Sequence, residues 1–431
     1  MSTKPKPPFK GRPALELLQY TDQSLIQCSD VETQLDWFND LMIFLVDMDS
    51  DCNPKLDIEK STDNPTGLAP EAMVEKMDLL LQRVSDYLIK GVPDDFYVGV
   101  LEIFENSVLK LHQPHYVQFI TYLAASTSKQ RADDLLSLLL NIVHDEQSDP
   151  IARREAIACI GSFVCRATFL GWTHSARTAK YLVSFMHGLD ISKSSSDRLL
   201  FALALQTVCY MICWECNNWK DHTETTELDW VFRSKKGLVP LLERTRKDCV
   251  LRLVSLDILS MLHPLAGRVS VQLRDLIGEA IATYRQLLPP VWKPLAESKL
   301  LKPSFPFDPF HNLRRCARFF DAIVREWEEP GEAPDASDRA QPAIYMTTDD
   351  SNGEEPEHLG MEHDDVWSFR PITAALGGYQ PSPLMHAMAC SPMMDAFDDP
   401  RDRMDSFEIG DNLVLNRILS SRTFASAPPS G

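Results

Sequence analysis

From Pro70 to Trp327 nearly every stretch repeats its apolar residues three and four positions apart, and the alternation of a half-buried strand is hard to find. That pattern excludes sandwiches, barrels and doubly wound sheets, and leaves an array of helices. In EKMDLLLQRVSDYLIKG the apolar positions are Met77, Leu80, Leu81, Val84, Tyr87 and Leu88, and Gly91 closes the run. Further helices are expected at 96–111, 115–125, 131–144, 150–170, 175–188, 197–219, 237–244, 248–263 and 268–288. They are short, consecutive and separated by brief breaks, as in paired-helix repeats.

One segment sharpens the class. In DPIARREAIACIGSF, Asp149 is a natural N-cap and Pro150 occupies the first helical position, where its missing N–H costs nothing. Ile151, Ile157, Ile160 and Phe163 form the buried stripe, and small Ala156 allows close helix approach. This is the look of the second helix of a HEAT repeat, with DCVLRLVSLDIL as a looser echo. The fold class expected is all-α, a HEAT-repeat-like α-solenoid, with a non-repeating helical domain as the alternative. Residues 1–46 read as a Pro-rich lead and a short N-terminal helical segment, and 47–69 as an acidic disordered loop. The repeat domain spans 70–328, and 329–431 reads as a disordered tail, first acidic and then rich in Pro, Ser and Met.

Composition narrows the function. A net charge of −19 repels bare phosphate, so strong direct binding of nucleic acid is not expected, and basic protein surfaces are better partners. Gly is scarce (17) beside Pro (29), which argues against a glycine-rich phosphate cradle. The 10 Cys sit mostly in apolar runs, as reduced intracellular thiols do. The basic N-terminus has no apolar stretch behind it and does not read as a signal peptide. The apolar run at 199–214 is short for a membrane span and reads as a buried helix, so a soluble protein without a membrane partner is expected.

Catalytic and metal chemistry finds little support. Cys209, Cys213 and Cys216 lie on one face of an apolar helix, which favours core packing over a redox pair or half a zinc site. His112, His115, His144, His174 and His187 are dispersed, with no metal-ligand spacing. No nucleophile–base pair is evident, so neither an enzyme nor a cofactor is expected. Three basic spots stand out: Arg153 with Arg154; Arg233, Lys235 and Lys236; and Arg314, Arg315 and Arg318. They read either as solvated faces or as contacts for an acidic partner. Candidate phosphorylation sites are Ser194, Ser195 and Ser196 in one loop, and Ser351, Ser382, Ser391 and Ser420 in the tail.

The stretch SFPFDPFHNLRRCARFF, residues 304–320, crowds aromatic residues and prolines ahead of a basic run. Pro306 pushes Phe305 toward extended geometry, while Asp308 and Pro309 suit the N-cap and first position of a closing helix. On such a helix Leu313, Cys316, Ala317, Phe320, Ile323, Val324 and Trp327 share one stripe, with Arg314, Arg315, Arg318 and Arg325 largely outside it. Phe305, Phe307 and Phe310 then read as anchors of a seam, or as a docking surface for a partner.

Two segments together, ARREAIACIGSFVCRATFL (152–170) and SFPFDPFHNLRRCARFFDAIVREWE (304–328), resemble the TIF-IA family of RNA polymerase I-specific transcription initiation factors. The first carries the family's Arg-x-x-Ala, Ile-Gly-Ser-Phe and Arg-Ala elements. The second carries Phe-Pro-Phe-Asp-Pro, a basic amphipathic run and a Trp-Glu. The signature residues are Phe305, Phe307, Asp308, Pro309, Phe310 and Trp327. The resemblance implies a factor that binds RNA polymerase I, is recruited through promoter core factor subunits at ribosomal RNA genes, and is switched by regulatory kinases. It implies the nucleus and nucleolus. On this reading Arg153, Arg154, Arg166, Arg314, Arg315 and Arg318 become candidate partner contacts. A HEAT scaffold of the nuclear-transport or phosphatase-regulatory type is the alternative. The family carries further repeats ahead of the acidic loop where this chain has residues 1–46, as a short form or an incomplete gene product would. Cys165 and Thr168 also depart from the family's small apolar residue and Lys.

Overall fold

Among the residues described by the structure, a computed structural model, the regular elements are helices, with one isolated β-bridge. Those residues are 4–26, 30–52, 70–110, 114, 116–286, 288–297, 307 and 313–325. In chain order the helices are α1 (Ala14–Ile26), α2 (Val31–Asp51), α3 (Pro70–Ile89), α4 (Asp94–Ile103), α5 (Phe119–Ala125), α6 (Lys129–His144), α7 (Pro150–Arg166) and α8 (Trp172–Gly188). They continue as α9 (Ser195–Trp219), α10 (Thr226–Arg233), α11 (Leu238–Arg244), α12 (Leu256–Ala266), α13 (Val271–Ala282), α14 (Lys293–Glu297) and α15 (Ala317–Phe320). The array is all-α and solenoid-like. Of the acidic disordered loop expected over 47–69, residues 47–51 instead continue α2, where Met48 and Asp49 are buried, and 53–69 lie outside the described residues, as does the tail expected over 329–431.

Short polar side chains start many of these helices by accepting an otherwise orphaned backbone N–H. Asp149 accepts from Ile151 N at 2.7 Å with Pro150 behind it, and Ser194 accepts from Asp197 N at 3.0 Å. Gly91 ends α3 at φ +91°, a backbone conformation that side-chain-bearing residues resist.

The core is organised around α9, which packs against α7, α8 and α12. Its apolar stretch is 94% buried inside the protein. Gly161 lets α7 approach so closely that a Cβ there would meet Thr207 Cγ2 at 2.5 Å. The N-terminal helices join the same array: Gln34 Nε2 donates to Tyr87 Oη at 2.6 Å, and Arg83 of α3 pairs with Asp22 of α1.

Four further expectations change. The helix expected over 96–111 ends at Ile103 and continues as one π turn, Phe104–Val108. The single helix expected over 248–263 is two 3-10 turns, Arg246–Asp248 and Val250–Leu253, hinged at Cys249 (φ +57°), and α12 begins only at Leu256. Buried Arg252 accounts for the irregularity, because its guanidinium must reach Thr283 O at 3.1 Å and Gln286 O at 2.9 Å. Helix α10 falls where none was expected, its stripe reduced to Leu228, Val231 and Phe232.

The fourth change concerns the closing helix expected to run from Pro309 through Trp327. Residues 313–325 instead form a strap: a turn, the single helical turn of α15, and a β-bridge from Val324 to Ala167. Tertiary partners outbid the helix for the backbone. Asp78 accepts the N–H groups of Arg315 (2.8 Å) and Cys316 (3.0 Å), and Arg166 O accepts that of Arg325 at 2.6 Å. The apolar stripe is still honoured, since Leu313, Cys316, Phe320, Ile323 and Val324 are all buried.

Candidate functional site

The strap, with Phe307 ahead of it, makes contacts on four helices. On α3, buried Asp78 holds the strap's backbone, and Asp86 pairs with Arg318 at 2.9 Å. On α5, Tyr122 Oη donates to Ile323 O at 3.1 Å, and Phe119 meets the Phe320 ring edge-on at 5.4 Å. On α7, Ser162 Oγ accepts from Phe307 N at 2.9 Å, while just beyond its end Thr168 bonds Ile323 O and Ala322 O, each at 3.0 Å. On α9, Glu215 receives Arg325 at 2.6 Å.

Phe307 is fully buried. Its ring lies 5.8 Å from Phe119, 5.1 Å from Tyr122 and 6.0 Å from Phe163, so one aromatic side chain ties the segment to α5 and α7 together. Of the two readings of the phenylalanines, the seam anchor describes Phe307. Phe305, Asp308, Pro309, Phe310 and Trp327 lie outside the described residues.

Charge in the seam is compensated locally. Glu215 is 1% exposed and also accepts from Asn218 Nδ2 at 2.8 Å. Arg166 donates to Arg325 O at 3.2 Å and lies over the Trp214 ring at 4.3 Å. Arg166, expected as a partner contact, is therefore buried in the seam because the strap covers it. Burial also pushes the Tyr122 hydroxyl and the Cys165 thiol well above their ordinary ranges, which keeps both neutral in the seam.

The candidate arginines are used unequally. Arg153 caps the end of α6 through Val143 O at 3.0 and 3.1 Å, and Arg154 pairs at 2.7 Å with buried Glu155. Arg318 is exposed but paired with Asp86. Arg314 and Arg315 are exposed and, with Arg285, are the only described arginines whose guanidinium has no partner among the described residues. The second basic spot also divides: Arg233 pairs with Asp229 at 3.2 Å, and Lys235 and Lys236 are exposed.

Of the serines, Ser194 is committed to capping α9, while Ser195 and Ser196 are exposed; Ser351, Ser382, Ser391 and Ser420 lie outside the described residues. Cys209, Cys213 and Cys216 are buried, and burial pushes the Cys209 thiol up to about 12. His174 faces Asp133 at 3.2 Å, His187 lies 3.3 Å from Arg244, His144 ends α6, and His112 and His115 lie outside the described residues.

The residues that receive the strap and Phe307 — Asp78, Tyr122, Ser162 and Glu215 — were not found by sequence reasoning. Only Asp78 left a trace, as a lone carboxylate inside the apolar run MDLLL.

Fold and site define a class: an all-α, solenoid-like protein in which the segment 313–325 is strapped back across earlier helices. The family model described as "RNA polymerase I specific transcription initiation factor RRN3" matches residues 22–267, and the chain belongs to that family. The match contains the 152–170 segment and ends before the strap. The chain is 24% identical over 398 residues to the mouse "RNA polymerase I-specific transcription initiation factor RRN3". It is 22% identical over 289 residues to the Schizosaccharomyces pombe protein of corresponding name. Those alignments cover 83% and 60% of this chain, and the chain spans 57% and 44% of the two relatives. A solved structure, "Crystal Structure of RNA Polymerase I Transcription Initiation Factor Rrn3", shares the fold at a TM-score of 0.59 and 20% identity. That likeness covers 75% of this chain and 68% of the solved one.

Proposed function

We propose that this chain is a non-enzymatic initiation factor that binds RNA polymerase I and bridges it to promoter-bound core factor at ribosomal RNA genes. It acts in the nucleus, at the nucleolus, through a HEAT-type helical surface. The observation that carries this reading is the family match over residues 22–267, which covers most of the helical array. The chain's net charge of −19 supports a role that works through protein surfaces. Phosphorylation of exposed Ser195 and Ser196 lowers affinity for the polymerase, because each phosphate adds nearly two negative charges that must be desolvated at the interface.

Pull-down of the full chain from nuclear extract tests the proposal. Enrichment of RNA polymerase I subunits is expected, and depletion of the protein should lower ribosomal RNA synthesis. Recovery of chaperones or transport cargo alone, with ribosomal RNA synthesis unaffected, would refute it. Replacing Ser194, Ser195 and Ser196 together by Asp is expected to weaken the interaction, and unchanged affinity would remove that loop from the regulatory reading.

A further inference from the structure

Among the described residues, guanidinium groups are almost all spoken for. Arg131 reaches Asp94, Arg177 reaches Glu227, Arg246 pairs with Glu279 and Arg274 with Asp275. Against that background Arg314 and Arg315 are unusual, since two adjacent exposed arginines have no partner among the described residues. Their backbone is nonetheless held on both sides: Leu313 is 2% exposed and Cys316 fully buried, and Asp78 grips the N–H groups of Arg315 and Cys316.

Among the described residues, the two acids that α3 brings to this part of the strap are already engaged. Both Asp78 oxygens accept these backbone donors, and Asp86 is taken by Arg318, whose guanidinium also lies over the Phe319 ring at 4.5 Å. Asp321, exposed six residues beyond Arg315, forms no ion pair with either arginine. The fold has thus already restricted the backbone that presents these two charges, which lowers the ordering cost of engaging them.

We infer that Arg314 and Arg315 form a docking point for a carboxylate-bearing acidic peptide segment of a partner protein. The inference rests on the proposed role as a polymerase-binding factor and names the chemistry of one contact within it. Two guanidinium forks match one or two carboxylates in bidentate geometry. They are too few for a nucleic-acid footprint, which neutralises a run of phosphates. Arg318 stays with Asp86 and contributes little to the contact.

The test uses the purified full chain, its Arg314→Glu/Arg315→Glu double variant, and Arg285→Glu as a control at another unpartnered arginine. Probes are a decaglutamate peptide, a single-stranded DNA of equal charge, and purified RNA polymerase I. The wild-type chain is expected to bind decaglutamate with an affinity that falls as NaCl rises. The double variant should bind it about tenfold or more weakly, the loss of two exposed ion pairs, with Arg285→Glu unchanged and circular dichroism preserved. Three outcomes overturn the inference: no binding of decaglutamate, equal binding by the double variant, or tighter binding of the DNA than of the peptide. If decaglutamate binding is lost in the double variant while the polymerase does not bind the wild type, the docking point stands and the proposed function falls. If the polymerase binds wild type and double variant alike, and decaglutamate is also indifferent, the function stands and the docking point falls.

Discussion

Replacing Arg325 by Met should loosen the strap without touching the aromatic seam. Arg325 Nη1 lies 2.6 Å from Glu215 Oε1, and Glu215 is 1% exposed. At that distance the gross attraction is about 6 kcal/mol for an effective dielectric of about 20. Removing one partner of a fully buried pair typically costs about 3–5 kcal/mol, because the other charge is stranded. Two features reduce that figure here: Arg325 is 24% exposed, and Asn218 still donates to Glu215 at 2.8 Å. The expected loss is about 2–3 kcal/mol. Glu215→Gln in the same chain should return the double variant to within about 1 kcal/mol of wild type, a coupling of about 2 kcal/mol. Urea unfolding followed by circular dichroism measures the cycle. Hydrogen exchange locates it: the Thr168 amide, which donates to Ile323 O, and the Arg325 amide should lose protection together. A loss below about 0.5 kcal/mol, or strict additivity of the two substitutions, would show that the pair does not hold the strap.

Three further outcomes are expected. Phe307→Ala should cost about 3–5 kcal/mol in the same unfolding assay, and Phe307→Leu less than half of that; a cost under about 1 kcal/mol for Ala would place the ring outside the core. Gly161→Ala should destabilise by about 1–3 kcal/mol, because the new Cβ meets Thr207 Cγ2 at 2.5 Å. Thr207→Ser, which removes that methyl group, should recover most of the loss, and failure to do so would mean the α7–α9 approach is not set there. Iodoacetamide at pH 8 should modify half-buried Cys249 first among the described cysteines. Cys159, Cys165, Cys209, Cys213 and Cys316 are buried with thiols pushed upward, so peptide mapping should find them labelled only under denaturant.

What the sequence shows well is local. Asp149 with Pro150 and Gly91 mark helix ends through interactions within a few residues, and the structure uses both, whereas the Ser194 cap was read only as a phosphorylation candidate. What it hides is decided by partners far along the chain. The stripe from Leu313 to Val324 suits an amphipathic helix, yet it is buried just as well by a strap whose donors go to Asp78 and Arg166. Arg166 reads as a surface cation until the strap that covers it is in place, and Arg252 similarly needs carbonyls near the end of α13. The candidate arginines were visible by type, but which of them are already engaged was not, since a guanidinium's acceptor has no fixed sequence offset. Helix α10 escaped notice because eight residues with three buried positions give too little periodicity.

The strap also changes what kind of polymer this chain is. A linear repeat array is stabilised by neighbours only, so it can begin folding anywhere and fray from either end. Here Cys316 is hydrogen-bonded to Asp78 at a sequence separation of 238, and Tyr122 to Ile323 at 201. Such a closure raises contact order and must overcome loop entropy before its contacts repay it, which slows the last step of folding. On the ribosome, α3, α5 and α7 must wait exposed along one seam until residue 325 has emerged, at about 5–20 residues per second. The completed ring of contacts then binds early and late helices into one cooperative unit, and a nascent chain halted before the strap would carry an open apolar seam for chaperones to recognise.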